Sequence, residues 1–427
     1  VGAAVNGPLL VVHPGADWST GDLYQGLVPS LRRLGVPVVE YPLSHTLQLS
    51  DAYLKFLHRK QKRHGGPLKD TPPTGGDVLY HASAQAIERA LFFGCEWVLI
   101  MTGMYFSLRA LKLLRRAGLK IAILLTESPY DSSSEFAFAA EADLCWTNER
   151  LALGALRLAC PRTQYLPHAY DPAKHFPVEP GGGLPPAGAT GDAGAGGRGR
   201  FRVGDTPLSL SAIGAAAEAG DGGGALESSV PAHDVVFVGS GFKERIELLS
   251  AVDWTGIDFG LYGAWRGLPS RHPLRKHLRD SEVDNVYAAA LYRKAKVGLN
   301  LFRSSIGHAD TARARIPPKS AESLSPRLLE LAACGTFIVS EWRREVGEVF
   351  GGAVPTFRDA AGLQSLLAEW LPRDGDRAKR AQGLPARVAD RTFDGMARTV
   401  VRDLVKADAD GEAWKPLEER LGVVAAA

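Results

Sequence analysis

Cysteine is scarce in this chain, with four residues in 427. Cys95, Cys145, Cys160 and Cys334 lie far apart, with no Cys-x-x-Cys pair and no Cys/His ligand spacing. That argues against a disulfide scaffold or a zinc module and predicts four free, buried thiols in a reducing cytoplasm. No apolar run approaches the ~20 residues of a membrane helix, so no span is expected. The opening "VGAAVNGPLLVVHPG" has no basic n-region and passes straight into a strand-like run, unlike a signal peptide. Excess charge is missing too: a net charge of +3 does not by itself argue for a nucleic-acid partner.

What is present is an ordinary soluble composition, 45% hydrophobic, in a chain too long for one typical domain. Short apolar runs alternate with amphipathic stretches. "LLVVHPG" (Leu9–Gly15), "VPVVEY", "WVLIMTG" (Trp97–Gly103), "KIAILLTE", "DLCWTN" and "TQYLPHA" read as strands, with helices such as "LYQGLVPSLRRLG" and "SLRALKLLRRAG" between them. Fully apolar strands separated by helices predict a parallel sheet covered on both faces. Between Pro180 and His233 the composition collapses to Gly, Ala and Pro, which predicts a flexible insert with room for one hairpin in "RFRVGDTPLSLSAI". The pattern then restarts with "DVVFVGSG" (Asp234–Gly241), "IDFGLYG", "VGLNLF" and "TFIVSE". The expected division is an N-terminal doubly wound domain (1–172), a linker with the low-complexity insert (173–232), a second α/β domain (233–391), and a closing helix with a polar tail (392–427).

The chemistry concentrates in two stretches of the second domain. In "AESLSPRLLELAACGTFIVSE" (Ala321–Glu341), Ser325 reads as an N-cap, Pro326 as the first helical residue and Gly335 as the stop. Helical spacing puts Leu328, Leu331 and Ala332 on one face and Arg327, Glu330 and Cys334 on another. The polar face either meets solvent or lines a cleft at the strand ends, where the helix N-terminus and Arg327 would hold an anion and Glu330 a sugar hydroxyl. In "FVGSGFKER", Gly239 and Gly241 leave a strand and open a helix, with Lys243 and Arg245 in its first turn. This permits close approach to phosphate, although it is not the full GxGxxG fingerprint.

The segment Glu330-Leu-Ala-Ala-Cys-Gly335-Thr resembles the E-A-x-A-x-G segment of GT-B glycosyltransferases, and Glu322 stands seven intervening residues before Glu330. "LLTESPYD", "ADLCWTNE", "YLPHAYDPAKHFP", "VVFVGSGFKERIELL", "VGLNLF" and "SPRLLELAACGTFIVSE" together resemble the CgeB-like, spore-maturation-type group within the wider family 1-4-like set. The resemblance implies an α/β GT-B fold of two facing Rossmann-like domains with a cleft between them. It implies transfer of a sugar, a hexose first, from a nucleoside diphosphate sugar to a hydroxyl acceptor. A UDP-sugar is the expected co-substrate, with no permanent cofactor and no metal. By position, Glu330 resembles the ribose-binding acid, Arg245 and Arg327 diphosphate contacts, and Glu322 the acid near the donor sugar. Ser240 stands where related enzymes often carry arginine.

On the acceptor side, Glu127 follows the strand "KIAILLTE", where several relatives place a histidine. A carboxylate there serves equally as general base or as a cap for the turn "SPYDSSSEF". His168 in "LPHAYDP" sits at the inferred domain joint, as a donor-cleft residue or a structural one. "DAD" (Asp408–Asp410) looks like a metal motif but falls in the expected polar tail. The acceptor stays open among glycan, small molecule, protein and modified DNA. The basic clusters "LKFLHRKQKRHGG" (Leu54–Gly66) and "RHPLRKHLR" (Arg271–Arg279) would serve a DNA-base glycosyltransferase by tracking phosphates, or else are solvated helix faces. A third possibility is a binding protein that keeps the fold without turnover.

Overall fold

A computed structural model describes residues 5, 7–15, 21–103, 105–177, 229–281, 283–305, 321–411 and 414–420. Most of the Pro180–His233 segment, including its expected hairpin, lies outside the described residues. Among the described residues, twelve strands form two parallel six-stranded sheets. The first contains β1 (Leu9–His13), β2 (Val38–Pro42), β3 (Trp97–Met101), β4 (Lys120–Leu125), β5 (Leu144–Thr147) and β6 (Thr163–Tyr165) in the order β2-β1-β3-β4-β5-β6. The second contains β7 (Val235–Val238), β8 (Phe259–Tyr262), β9 (Leu278–Asp280), β10 (Val297–Asn300), β11 (Ile338–Glu341) and β12 (Thr356–Phe357) in the order β12-β11-β10-β7-β8-β9.

All five residues of β1 and of β3 are buried, as strands covered on both faces must be. The first sheet carries one apolar layer on each face, around Leu10, Val98 and Ile123 on one side and Leu9, Leu99 and Trp146 on the other. In the second sheet the strand order reverses between β7 and β10. This switch point is where a doubly wound sheet leaves a crevice beyond its strand ends. All four cysteines are buried thiols outside any disulfide.

The C-terminal helix Phe393–Asp410 crosses back to the first domain. Phe393, Ala397, Val400 and Leu404 join the core layer that holds Leu9 and Trp146. Tyr170 and Thr392 form a bridge where the two crossing segments meet. The helix continues into the expected polar tail as far as Asp410, and its acids are anchors. Asp403 accepts from the Trp146 indole and Asp408 from the Trp97 indole, both at 2.9 Å, and Asp408 also pairs with Lys120. The strands β9 and β12, which the sequence does not announce, close the two edges of the second sheet.

Candidate active site

The two domains face each other across a cleft of about 400 Å³ that opens to solvent. Its walls come from the loops after β4, β5 and β6 on one side and those after β7 and β10, with helix Pro326–Ala333, on the other. The local geometry of that helix follows its sequence. Ser325 caps it by accepting from the Leu328 amide, and its own hydroxyl donates to the buried Asn300 side chain at the end of β10 (2.8 Å). Gly335 ends it at φ +68°, a conformation that disfavours other residues.

Arg245 and Arg327 form the basic wall. Arg245, from the first turn of helix Lys243–Ser250, is buried and donates to the carbonyls of Ser240 (2.9 Å), Leu301 (3.0 Å) and Phe302 (3.4 Å). Arg327 donates to the carbonyls of Val238 and, at 3.2 Å, Leu301. Both guanidiniums lie against the Phe237 ring. Burial, with Arg327 alongside, pulls Arg245 down to about 9, still a cation at neutral pH. The nearest acids are engaged elsewhere: Glu244 accepts from Ser304 and Ser305, and Glu341 from the Phe302 amide. Among the described residues, neither arginine pairs with a carboxylate. Two cations stand side by side, neither hydrogen-bonded to a carboxylate, an arrangement that favours an anion between them and the cleft.

Glu330 lies one turn along from Arg327 on the same wall. Burial first, and then the Asp22 carboxylate from the other domain, push its carboxyl up to about 7, against the pull of Arg327 and Lys174. Asp22, at the start of helix Gly21–Arg33, is itself raised, chiefly by burial. Gly239 lines the cleft, and a Cβ there would run into the Arg327 guanidinium.

On the opposite wall, Glu127 follows β4 and accepts from Arg303 of the second domain at 3.0 Å. One carboxylate oxygen is held by that pair, and the other makes no hydrogen bond among the described residues. The Glu127 turn is fixed from behind by the buried Glu135, which accepts from the Glu127 amide (2.7 Å) and the Ser128 hydroxyl. His168 contacts the Asn148 amide nitrogen at 2.6 Å through Nε2. Burial and then Arg343 depress its pKa to about 4, so it is neutral, and accepting at Nε2 leaves its proton on Nδ1.

Three sequence expectations are corrected. Lys243 points to solvent, 77% exposed with Glu247 as its neighbour, because inward access from that turn belongs to Arg245. Gly241 packs on Trp265: a Cβ there would fall 2.5 Å from the indole ring, so its smallness serves the core. Glu322 does not line the cleft. Its carboxylate pairs with Arg150 and Arg344, both at 3.5 Å, while Ser323, Leu324 and Ser325 take the lining positions. Residues the sequence reading missed are Arg303, Arg343, Tyr130 and Glu149, which tie the walls together. Tyr130 donates to the Arg303 carbonyl (2.9 Å), Arg343 reaches the Tyr130 hydroxyl (3.2 Å), and Glu149 accepts from the Glu322 and Ser323 amides. Each joins residues more than 150 positions apart, and no local pattern announces such a contact. Of the two basic clusters, Arg271–Arg279 is largely committed to the fold: Arg275 donates to backbone carbonyls, His277 is buried and Arg279 pairs with Asp258.

Residues 244–400 match a protein-family model described as glycosyl transferase-like. A comparison with curated proteins finds no match. Similar solved structures include sucrose-phosphate synthase from Thermosynechococcus elongatus, with TM-score 0.60 and 13% identity over 95% of this chain and 100% of that one. An α,α-trehalose-phosphate synthase (UDP-forming) from Burkholderia vietnamiensis gives 0.55 and 12% over 96% and 100%. The E. coli trehalose-6-phosphate structure bound with UDP-2-fluoro glucose gives 0.53 and 14% over 93% and 99%. The likeness establishes the architecture: two Rossmann-like domains across a cleft, the GT-B fold.

Proposed function

We propose that this chain transfers a sugar, a hexose first, from a nucleoside diphosphate donor to a hydroxyl acceptor bound between the domains, in the manner of the CgeB-like group. The observation that carries the reading is the Arg245–Arg327 pair: two guanidiniums on the cleft wall, anchored by backbone carbonyls and, among the described residues, paired with no carboxylate. In the proposed reaction the acceptor oxygen bonds to the anomeric carbon as the bond from that carbon to the diphosphate breaks. The electron pair leaves with the diphosphate, where the arginines stabilise the growing charge. The acceptor proton passes to the free oxygen of Glu127, while Arg303 fixes the other. Glu330 receives ribose hydroxyls one helical turn from the phosphates. A UDP-sugar is the first donor to try, given the UDP-forming and UDP-sugar-bound neighbours.

A thermal-shift panel of nucleoside diphosphate sugars tests this, followed by an assay for released nucleoside diphosphate with candidate acceptors. A ligand at about a hundred times its Kd adds ~2.7 kcal/mol of stability, a measurable shift. Binding lost in Arg327→Ala is the expected result. No shift with any donor overturns the reading, and binding without release in the presence of acceptors assigns a binding protein instead.

A further inference from the structure

Helix Leu43–Arg63 is 21 residues long, yet only Leu43 and Ser50 in it are buried. Ser50 holds it to helix Gly75–Phe92 through His81 (2.9 Å) and Gln85 (3.4 Å). From Asp51 to Arg63 no residue is buried. This stretch nevertheless carries large apolar side chains facing water: Tyr53 is 51% exposed, Phe56 56% and Leu57 37%, and Leu49 just before them is 57% exposed. Their spacing of i, i+4, i+7 and i+8 places all four on one stripe of the helix. Lys60 falls within the stripe, and Arg63, Arg59, Lys55 and Lys62 follow in order around the side away from the packed face. Five cations thus accompany the stripe against one acid, Asp51, which pairs with Lys55 at 2.7 Å.

An apolar stripe with a cationic flank, on a helix that its own domain barely covers, has the form of an element lying in a membrane interface. We propose that helix Leu43–Arg63 docks this chain onto an anionic lipid surface, inserting Leu49, Tyr53, Phe56 and Leu57 below headgroups that meet the Lys/Arg flank. Charge complementarity selects this occupant. A second copy would bring two sets of five cations together. A nucleic-acid backbone would meet the cations but leave the leucines and aromatic rings without an apolar partner. Bilayer binding satisfies both sides of the helix at once and needs no spanning segment; no described helix is long and apolar enough to cross a membrane. The proposal does not depend on the reaction assigned to the cleft.

Co-sedimentation with vesicles of phosphatidylcholine alone, and of phosphatidylcholine mixed with phosphatidylglycerol, tests it on the full chain. Binding to the mixed vesicles only is expected, weakening as salt is raised. Tyr53 also stacks on His81, so the triple variant Leu49→Ser, Phe56→Ser, Leu57→Ser is the cleaner one: it changes exposed side chains and should keep the parent melting temperature while binding about a hundredfold more weakly. Each of Arg59→Gln and Arg63→Gln should cost about fivefold. The proposal is overturned if the parent protein stays in the supernatant, or if the triple variant sediments like the parent. Retention of the protein on duplex DNA but not on vesicles overturns it as well, as does a dimer that the triple variant dissociates.

Discussion

Replacing Glu330 by glutamine should make the folded protein more stable and its donor binding weaker, with both effects tied to pH. In the fold this carboxyl titrates at about 7, against an ordinary 4.5, because burial and the Asp22 carboxylate disfavour its charge. The folded value lies above the unfolded one. Below about pH 4.5 both states hold the proton and the group contributes nothing. Between there and 7 the unfolded chain ionises first, so stability falls as pH rises, and above about 7 the loss is complete. The gap corresponds to ~3.5 kcal/mol at ~1.4 kcal/mol per unit, an upper figure because part of the residue reaches solvent. Glu330→Gln removes the loss. It should melt with the parent near pH 4–5 and several degrees above it at about pH 8. The same variant gives up a charged acceptor for ribose hydroxyls, worth about 1.5–3 kcal/mol, or roughly a ten- to hundredfold loss of nucleoside diphosphate affinity. Calorimetry across pH on both proteins measures the two effects. Parallel pH–stability curves would refute the buried carboxyl, and equal affinity at about pH 8 would refute its contact with the nucleotide.

Three other outcomes are expected. Glu127→Gln should leave donor affinity intact and slow transfer about a hundredfold, read from nucleoside diphosphate release under saturating donor; full activity would return Glu127 to a purely interdomain role with Arg303. Gly239→Ala and Gly241→Ala should separate cleanly: the first displaces the Arg327 guanidinium and lowers diphosphate affinity about tenfold, while the second overpacks Trp265 and costs ~1–3 kcal/mol of stability at unchanged affinity. Replacing residues 180–228, which stop short of the buried Val230 and His233, by a short Gly/Ser linker should keep donor affinity within about tenfold in a titration, since their composition offers few anchoring side chains and long insertions are tolerated.

Strand positions were legible where burial on both faces demands an unbroken apolar run, as in Leu9–His13 and Trp97–Met101. Leu278–Asp280 and Thr356–Phe357 are edge strands of three and two residues, too short to leave such a mark. Ser325, Pro326 and Gly335 could be read because capping is local chemistry. The faces of the helix between them could not be read fully: Leu329 and Ala333 are also buried, since this helix packs under the cleft and not merely beside the sheet. Gly239 and Gly241 look alike in sequence, and only the fold puts an arginine against one and an indole against the other. Glu322 was misplaced for the same reason. Its partners Arg150 and Arg344 come from the other domain and from beyond β11, and such pairings are set by the docking of the domains.

The placement of the arginines explains why the site belongs to the fold's switch point. The ends of β7 and β10 part there, leaving the carbonyls of Val238, Ser240, Leu301 and Phe302 without strand partners to serve. Buried carbonyls need donors. Arginine has five, fixed in a plane, so it can satisfy two or three of them and still present an edge to the cleft. Lysine has one compact ammonium and could not do both. The sheet's topology therefore creates the demand, the guanidinium meets it, and the charge left facing the cleft is available to an anion, the diphosphate of the proposed donor. Leu301, whose carbonyl accepts from both Arg245 and Arg327, is the point where the two requirements meet. A change that moves β10 should disturb both arginines together, coupling the stability of the second domain to its affinity for an anion.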